Sequence, residues 1–247
     1  MKVTQTSWGG VADWYDDVVN SSDSYQKHVL MPNILRIVEP KKGMTILDIA
    51  CGQGYFSRAF SEKGATVIAS DISDELIKIA QQQKGSIIDY HIALSDKLSF
   101  VKDSSIDVVT IILALQNIEK ISETITEVAR TLKLGGRLIV IINHPAFRIP
   151  QKSDWGWDEK ISKQFRKIFS YMSDDSIRID MNPGEKVVAK KKFTVSFHRP
   201  LQSYFKVFAK NGFGVIRLEE WIFQNYSAAG VTVLAAFWWR VIWPVSA

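Results

Sequence analysis

The sequence predicts an α/β protein built on a doubly wound, mostly parallel sheet, and two observations carry that prediction. Between Met44 and Asn143, short β-branched apolar runs alternate with helical segments, the pattern of consecutive βαβ units. The first run, MTILDIA, also ends in a glycine-bearing turn, CGQG. Such sheets bind ligands just beyond the carboxyl ends of their strands.

The elements follow in order. Tyr25, Val29, Leu30, Asn33, Ile34, Ile37 and Val38 give the N-terminal segment a helical apolar face, and Pro40 and Gly43 stop it. Met44 to Ala50 reads as a strand buried on both faces. A helix is expected from Gln53 to Lys63, closed by Gly64, then a strand over Ala65 to Ser70 and a helix over Asp74 to Lys84. Ile87 to Ala93 and Ile106 to Leu113 are further strands, Glu119 to Lys133 a helix, and Arg137 to Asn143 the fifth strand after Gly135-Gly136. Right-handed crossovers place helices on both faces of such a sheet.

After Asn143 the alternation breaks, and about 145–200 reads as an inserted cap between the fifth strand and the following helix. Within it, a charged helix is expected over Asp158 to Tyr171. A hairpin is expected to pair Ile177, Ile179 and Met181 with Phe193, Val195 and Phe197 across Asn182-Pro183-Gly184. Leu201 to Asn211 is then a helix, Phe213 to Trp221 a sixth strand, and Val231 to Trp238 a candidate seventh. Residues 1–43 form an N-terminal helical segment, expected over the cofactor site, and 44–247 the main domain.

Composition bounds the function. The 247 residues carry 31 basic and 26 acidic side chains, a net charge of +5 without a long basic block, so nucleic-acid binding is not indicated. Cys51 is the sole cysteine, which excludes an internal disulfide and a cysteine-based zinc cluster; no metal is expected. The opening MKVTQTSWGG has no apolar signal region, and Ala228 to Val245 is interrupted by Arg240 and Pro244. That stretch is short of the roughly 20 residues a span needs, so a cytoplasmic protein is expected.

The chemistry concentrates at the strand ends. Gly52 and Gly54 let a ligand approach the backbone of the first turn, and the amides of the next helix favour a carboxylate. Asp48 is placed for a cationic group. Asp71 ends the second strand, where an acid accepts from ribose hydroxyls; its competing reading is a turn or helix-cap aspartate, a task Asp74 suits better. Two ligand classes fit, a dinucleotide or adenosine joined to an amino acid. The dinucleotide fingerprint wants a third glycine where Ser57 stands, so the balance favours S-adenosylmethionine.

The pieces ILDIACGQGYFS, ASDIS, SSIDVVTIILALQNI and LKLGGRLIVIINHP, in that order, resemble a class I S-adenosylmethionine-dependent methyltransferase of the type 11 group. The similarity extends over roughly residues 8–221. It implies a Rossmann-like sheet of seven strands with the last antiparallel, and methyl transfer to an O, N or C nucleophile of a small molecule. It also implies that Asp48, Ala50, Gly52 and Gly54 hold the methionine end of the cofactor, Asp71 the ribose and Ile72 the adenine. Leu94 stands where the family commonly has an acid near the adenine, leaving backbone at Leu94 and Ser95, and Gln116 lies in the turn that closes over the methionine moiety.

Methyl transfer needs alignment of the nucleophile, and a general base only where the acceptor loses a proton. His144 and His198 are the candidates, each with a structural reading in which it bonds a backbone carbonyl. Arg148 and Arg199 suit an anionic substrate or lid salt bridges, and Trp14, Tyr15, Trp155 and Trp157 either wall the acceptor or pack. Cys51 is read as a packing residue. The tail 222–247 departs from the family pattern: a replacement last strand, an altered reading frame near 223, or a membrane anchor. A cofactor-binding protein without transfer chemistry and a nicotinamide-dependent oxidoreductase are the competing functions.

Overall fold

The computed structural model describes residues 24–83, 85, 87–181, 192–224 and 231–241. A π-helical turn, Gln26–Leu30, runs into α1 (Met31–Val38), which ends at Glu39 in the left-handed conformation. Then follow β1 (Thr45–Ile49), α2 (Tyr55–Glu62), β2 (Thr66–Asp71), α3 (Asp74–Gln82) and β3 (Ile88–Ile92). The chain continues through β4 (Ile106–Ile112), α4 (Ile121–Thr131) and β5 (Leu132–Asn143). The inserted segment holds β6 (Ser153–Asp158), β7 (Lys163–Ile168), β8 (Asp175–Asp180) and β9 (Phe193–His198), and the chain closes with α5 (Leu201–Lys210), β10 (Phe213–Gln224) and β11 (Val231–Val241).

Seven strands form one sheet in the order β10-β11-β5-β4-β1-β2-β3. Strands β1 to β5 run parallel, and β11 lies antiparallel between β5 and β10. The strand order therefore reverses between β1 and β4, which sets a crevice at their carboxyl ends. Alternate residues face opposite layers. Ile46, Val67, Val108 and Ile139 pack with Leu30, Ile34 and Phe60 under α1 and α2. Leu47, Ile49, Val109 and Val140 pack with Ile125, Val128 and Phe208 under α4 and α5.

Two expectations change. Asp158 to Tyr171 contains no helix: β6 and β7 pair antiparallel, with Trp155 opposite Arg166 and Gly156 opposite Phe165. The Arg166 guanidinium lies 5.1 Å from the Trp155 ring, and the Phe165 ring fills the space a side chain at 156 would need. These cross-strand contacts outweigh the helical propensity of the charged residues. The β8–β9 hairpin forms, but one residue out of the expected register: Ile177 lies opposite Ser196 and Ile179 opposite Thr194, while Val195 faces Arg178, whose guanidinium covers the Phe193 ring; its turn lies outside the described residues. In the tail, Val231–Val241 is the antiparallel strand, and no helix among the described residues is long and apolar enough to cross a membrane.

Arg130 fixes the segment that follows β3. It donates to the carbonyls of Leu98 and Val101 at 2.9 Å each and pairs with Glu127 and Asp103. Replacing it leaves two carbonyls and two acids without that donor. We expect Arg130→Met to lower stability by about 2–3 kcal/mol in urea denaturation; a change near zero would mean that solvent replaces the guanidinium without loss.

Candidate functional site

Two adjacent central strands end in strained backbone. Ala50, just after β1, has φ 55°, and Leu113, just after β4, has φ 54°, a conformation that costs non-glycine residues of order 1–3 kcal/mol. The turns are held open by hydrogen bonds, from the Cys51 amide to the Ser70 carbonyl at 3.0 Å and from the Leu113 amide to the Ile141 carbonyl at 2.7 Å. Gly52, with φ 58°, follows Ala50.

Between these ends lies a cavity of about 320 Å³. Of the residues expected at a cofactor, Ala50, Gly52, Asp71, Ile72, Leu94 and Ser95 line it. Asp71 is buried, and its two carboxylate oxygens accept the Gly52 and Ser73 amides at 2.9 Å each. Those bonds join the turn after β1 to the turn after β2. Burial raises its pKa, against the lowering effect of the backbone amides. The cap of α3 is Ser73, whose hydroxyl accepts the Leu76 amide; Asp74 lies inside the first turn and is not the cap.

Three expected cofactor contacts are absent from this lining. The Asp48 carboxylate is buried with Ser57 donating at 2.5 Å and Thr110 at 2.8 Å, so it braces β1 against α2 and β4. Ser57 thus has its own partner where a dinucleotide fold would want glycine. Gly54 is covered by Tyr90, whose hydroxyl would overlap a Cβ there. Gln116 turns to a second cavity, its amide nitrogen bonded to the Leu113 carbonyl at 2.6 Å. Sequence reasoning missed Asp96, 3.3 Å from Lys120, and Val195 and Phe197 of β9, which also line the first cavity. Strand β9 reaches this place by packing on the 115–117 turn that follows β4, a long-range contact.

The second cavity, of about 340 Å³, adjoins the first: Leu113, Asn117 and Phe197 line both. It gathers His198, Arg148 and Arg199, with Tyr25 and Gln26 from the N-terminal segment. The described part of that segment therefore borders the second cavity and is absent from the lining of the first. His198 is buried, with Nε2 2.9 Å from the Tyr171 carbonyl. A carbonyl only accepts, so Nε2 carries the proton and Nδ1 is the acceptor nitrogen.

His144 is placed differently. It lines neither cavity; its Nε2 lies 2.7 Å from the Glu220 carboxylate, and its Nδ1 accepts the Ala146 amide at 3.1 Å. Burial lowers its pKa against the opposing pull of Glu220. Both nitrogens are committed, so His144 ties the end of β5 to β10. Trp155 and Trp157 are absent from both linings, and Trp157 is exposed at the hairpin end. Trp14 and Tyr15 lie outside the described residues. Burial pushes the Cys51 thiol up, consistent with packing.

Residues 47–140 match the family described as a methyltransferase domain. The chain is 28% identical over 176 residues to the demethylmenaquinone methyltransferase of Thermobifida fusca, covering 66% of this chain and 74% of that one. It is 31% identical over 135 residues to the ubiquinone biosynthesis O-methyltransferase of Xanthomonas euvesicatoria pv. vesicatoria, covering 51% of this chain and 54% of that one. The fold is shared with an S-adenosylmethionine-dependent methyltransferase of Mesorhizobium loti, at TM-score 0.69 and 21% identity over 85% of this chain and 96% of the other. It is also shared with the [4+2]-cyclase SpnF, at TM-score 0.58 and 14% identity over 87% of this chain and 76% of that one.

Asp48 gives the site a pH signature. Burial lifts its pKa from 3.8 to about 6, more than the Ser57 and Thr110 bonds lower it. The folded state therefore binds this proton more tightly than the unfolded chain, and ionising Asp48 costs stability as pH rises from about 4 to about 6. Relative to the parent, Asp48→Asn should gain up to about 3 kcal/mol across that window in denaturant titrations. A difference that stays constant with pH would refute the assignment.

Proposed function

We propose that this chain, whose residues 47–140 match a methyltransferase domain, uses S-adenosylmethionine as its cofactor and methylates a small molecule held in the second cavity. The observation that carries this reading is the meeting of the two cavities at Leu113, Asn117 and Phe197. A donor in one and an acceptor in the other would come together where the cavities adjoin, the direct alignment on which methyl transfer depends.

The first cavity suits the cofactor. Among the described residues its lining holds three acids, Asp71, Asp96 and Glu119, and one cation, Lys120, a balance that favours a ligand with net positive charge. When bound, the cofactor supplies an electrophilic methyl group on a sulfonium. Asp71 is our choice for the ribose hydroxyls, since each carboxylate oxygen keeps a lone pair beyond its amide bond. Gly52 offers bare backbone to the methionine end, and Ile72 and Leu94 offer apolar surface to the adenine. Asp48 acts at one remove, by fixing β1, α2 and β4.

In the second cavity His198 takes the role of general base, with Nδ1 as the proton acceptor and the Tyr171 carbonyl holding the tautomer. The names of the relatives support an acceptor in the small-molecule class, quinone precursors among them.

Calorimetric titration with S-adenosylhomocysteine, with NAD as the parallel control, tests the cofactor assignment. We expect micromolar binding of the former alone; a folded protein that binds neither would overturn it. Asp71→Ala should weaken that binding by about 1.5–3 kcal/mol, roughly 10- to 150-fold, and equal affinity would displace the ribose from Asp71. On an acceptor that the parent turns over, His198→Gln should lower kcat by about 100- to 10,000-fold with S-adenosylhomocysteine affinity unchanged. Retention of full kcat would remove His198 from proton transfer.

A further inference from the structure

Charge separates the two cavities. The second is lined by two arginines, Arg148 and Arg199, and by no carboxylate among the described residues. Its remaining walls are mostly apolar or amide, Ile179 and Met181 among them, with the hydroxyls of Thr194, Ser196 and Tyr204. A neutral acceptor would leave both cations in a half-enclosed site without a counter-charge.

Arg199 is held as a fixed fork. One terminal nitrogen, Nη2, donates to the Glu119 carbonyl at 2.8 Å, and the guanidinium sits 5.1 Å from the Phe197 ring. The other, Nη1, is buried and makes no hydrogen bond of good geometry among the described residues, with the Tyr204 hydroxyl beside the guanidinium. A buried, charged N–H left unpaired is costly, and a planar anion is the group that satisfies it best. Arg148 donates to Asn143 at 3.1 Å through Nη1, and its other guanidinium N–H groups supply a second cationic edge.

Two more atoms in this cavity lack partners, and they have the opposite need. The side-chain oxygens of Gln26 and Gln116 are buried and accept nothing. Gln26 is 3% exposed, and the Gln116 amide nitrogen is already used on the Leu113 carbonyl, which fixes the direction of its oxygen. Each is an acceptor that an O–H or N–H of a bound ligand would satisfy.

We infer that the acceptor is a hydroxyl-bearing organic acid, its carboxylate taken by Arg199 with Arg148 and its hydroxyl region facing Gln26 and Gln116. This rests on the proposed role of the second cavity as the acceptor site. The carboxylate anchors the molecule at the cationic side, and the two amide oxygens select a protic group over an ether or a hydrocarbon. A ligand with only one of the two features leaves part of this polar set unsatisfied.

The test is binding to the full chain saturated with S-adenosylhomocysteine, read by calorimetry. The probes are 2-hydroxybenzoate, 4-hydroxybenzoate and 3-(4-hydroxyphenyl)propanoate, each beside its primary amide, with benzoate as the analogue lacking the hydroxyl. We expect at least one acid to bind about ten-fold or more tighter than its amide, and benzoate to bind more weakly than that acid. Arg199→Gln should erase the preference for acid over amide, and Arg199→Lys should keep part of it. S-adenosylhomocysteine affinity serves as the check that each variant is folded. If the parent binds S-adenosylhomocysteine yet no acid exceeds its amide, the inference fails and the transferase reading stands. If S-adenosylhomocysteine itself does not bind, the failure belongs to the cofactor assignment.

Discussion

The site depends on one backbone constraint: two neighbouring parallel strands, β1 and β4, must part abruptly where the sheet reverses its order. Ala50 and Leu113 enter the left-handed region to do so, at φ 55° and 54°. Neither is glycine, so the conformation is imposed by surroundings. The amides beside these residues are held by Ser70 and Ile141 from the flanking strands. Below the opening, Asp48 is bonded to Ser57 and Thr110 and keeps the diverging strands braced. The first cavity is the space left when a continuous ladder ends in two opposed turns.

Much of this was legible in the sequence, because it is local. The glycine turn, the acid at the end of β2 and the alternation of buried runs with amphipathic helices each occupy a few consecutive residues. Their expected boundaries agree with the structure to within a few residues from β1 to α4. The carboxylate at Asp48 was legible as important, but its direction was not. Whether a side chain at a strand end meets a ligand or the next helix depends on the hydroxyls that approach it, and Thr110 is 62 residues away. The same holds for His144, whose partner Glu220 lies on β10.

The inserted segment was the least legible. Over 158–171 the sequence mixes charged residues with Phe165 and Ile168, and nothing within that window favours extended backbone strongly. The hairpin becomes the better state only when Trp155 and Gly156 are counted, because they supply the surfaces for Arg166 and Phe165. The existence of the β8–β9 pair was easier to read, since both strands alternate apolar and polar residues, but its register was not. Charge complementarity between cavity and ligand was legible only as separate candidates, Arg148 and Arg199 for an anionic substrate; that the two share one lining was not. It is a property of which side chains converge, and the lining of the second cavity draws on residues from Tyr25 to Tyr204.

Strand β9 shows what that convergence permits. Val195 and Phe197 line the first cavity, while Thr194, Ser196 and His198 line the second, with Phe197 reaching both. One extended strand serves as a partition, and its two-residue period sorts its side chains between rooms. Point substitutions at the even positions can recut the second chamber while the first keeps its wall. An insertion or deletion of a single residue would instead swap the two sets at once. The partition can therefore diversify by substitution and resists change in length, which ties the evolvability of one cavity to the constancy of the other.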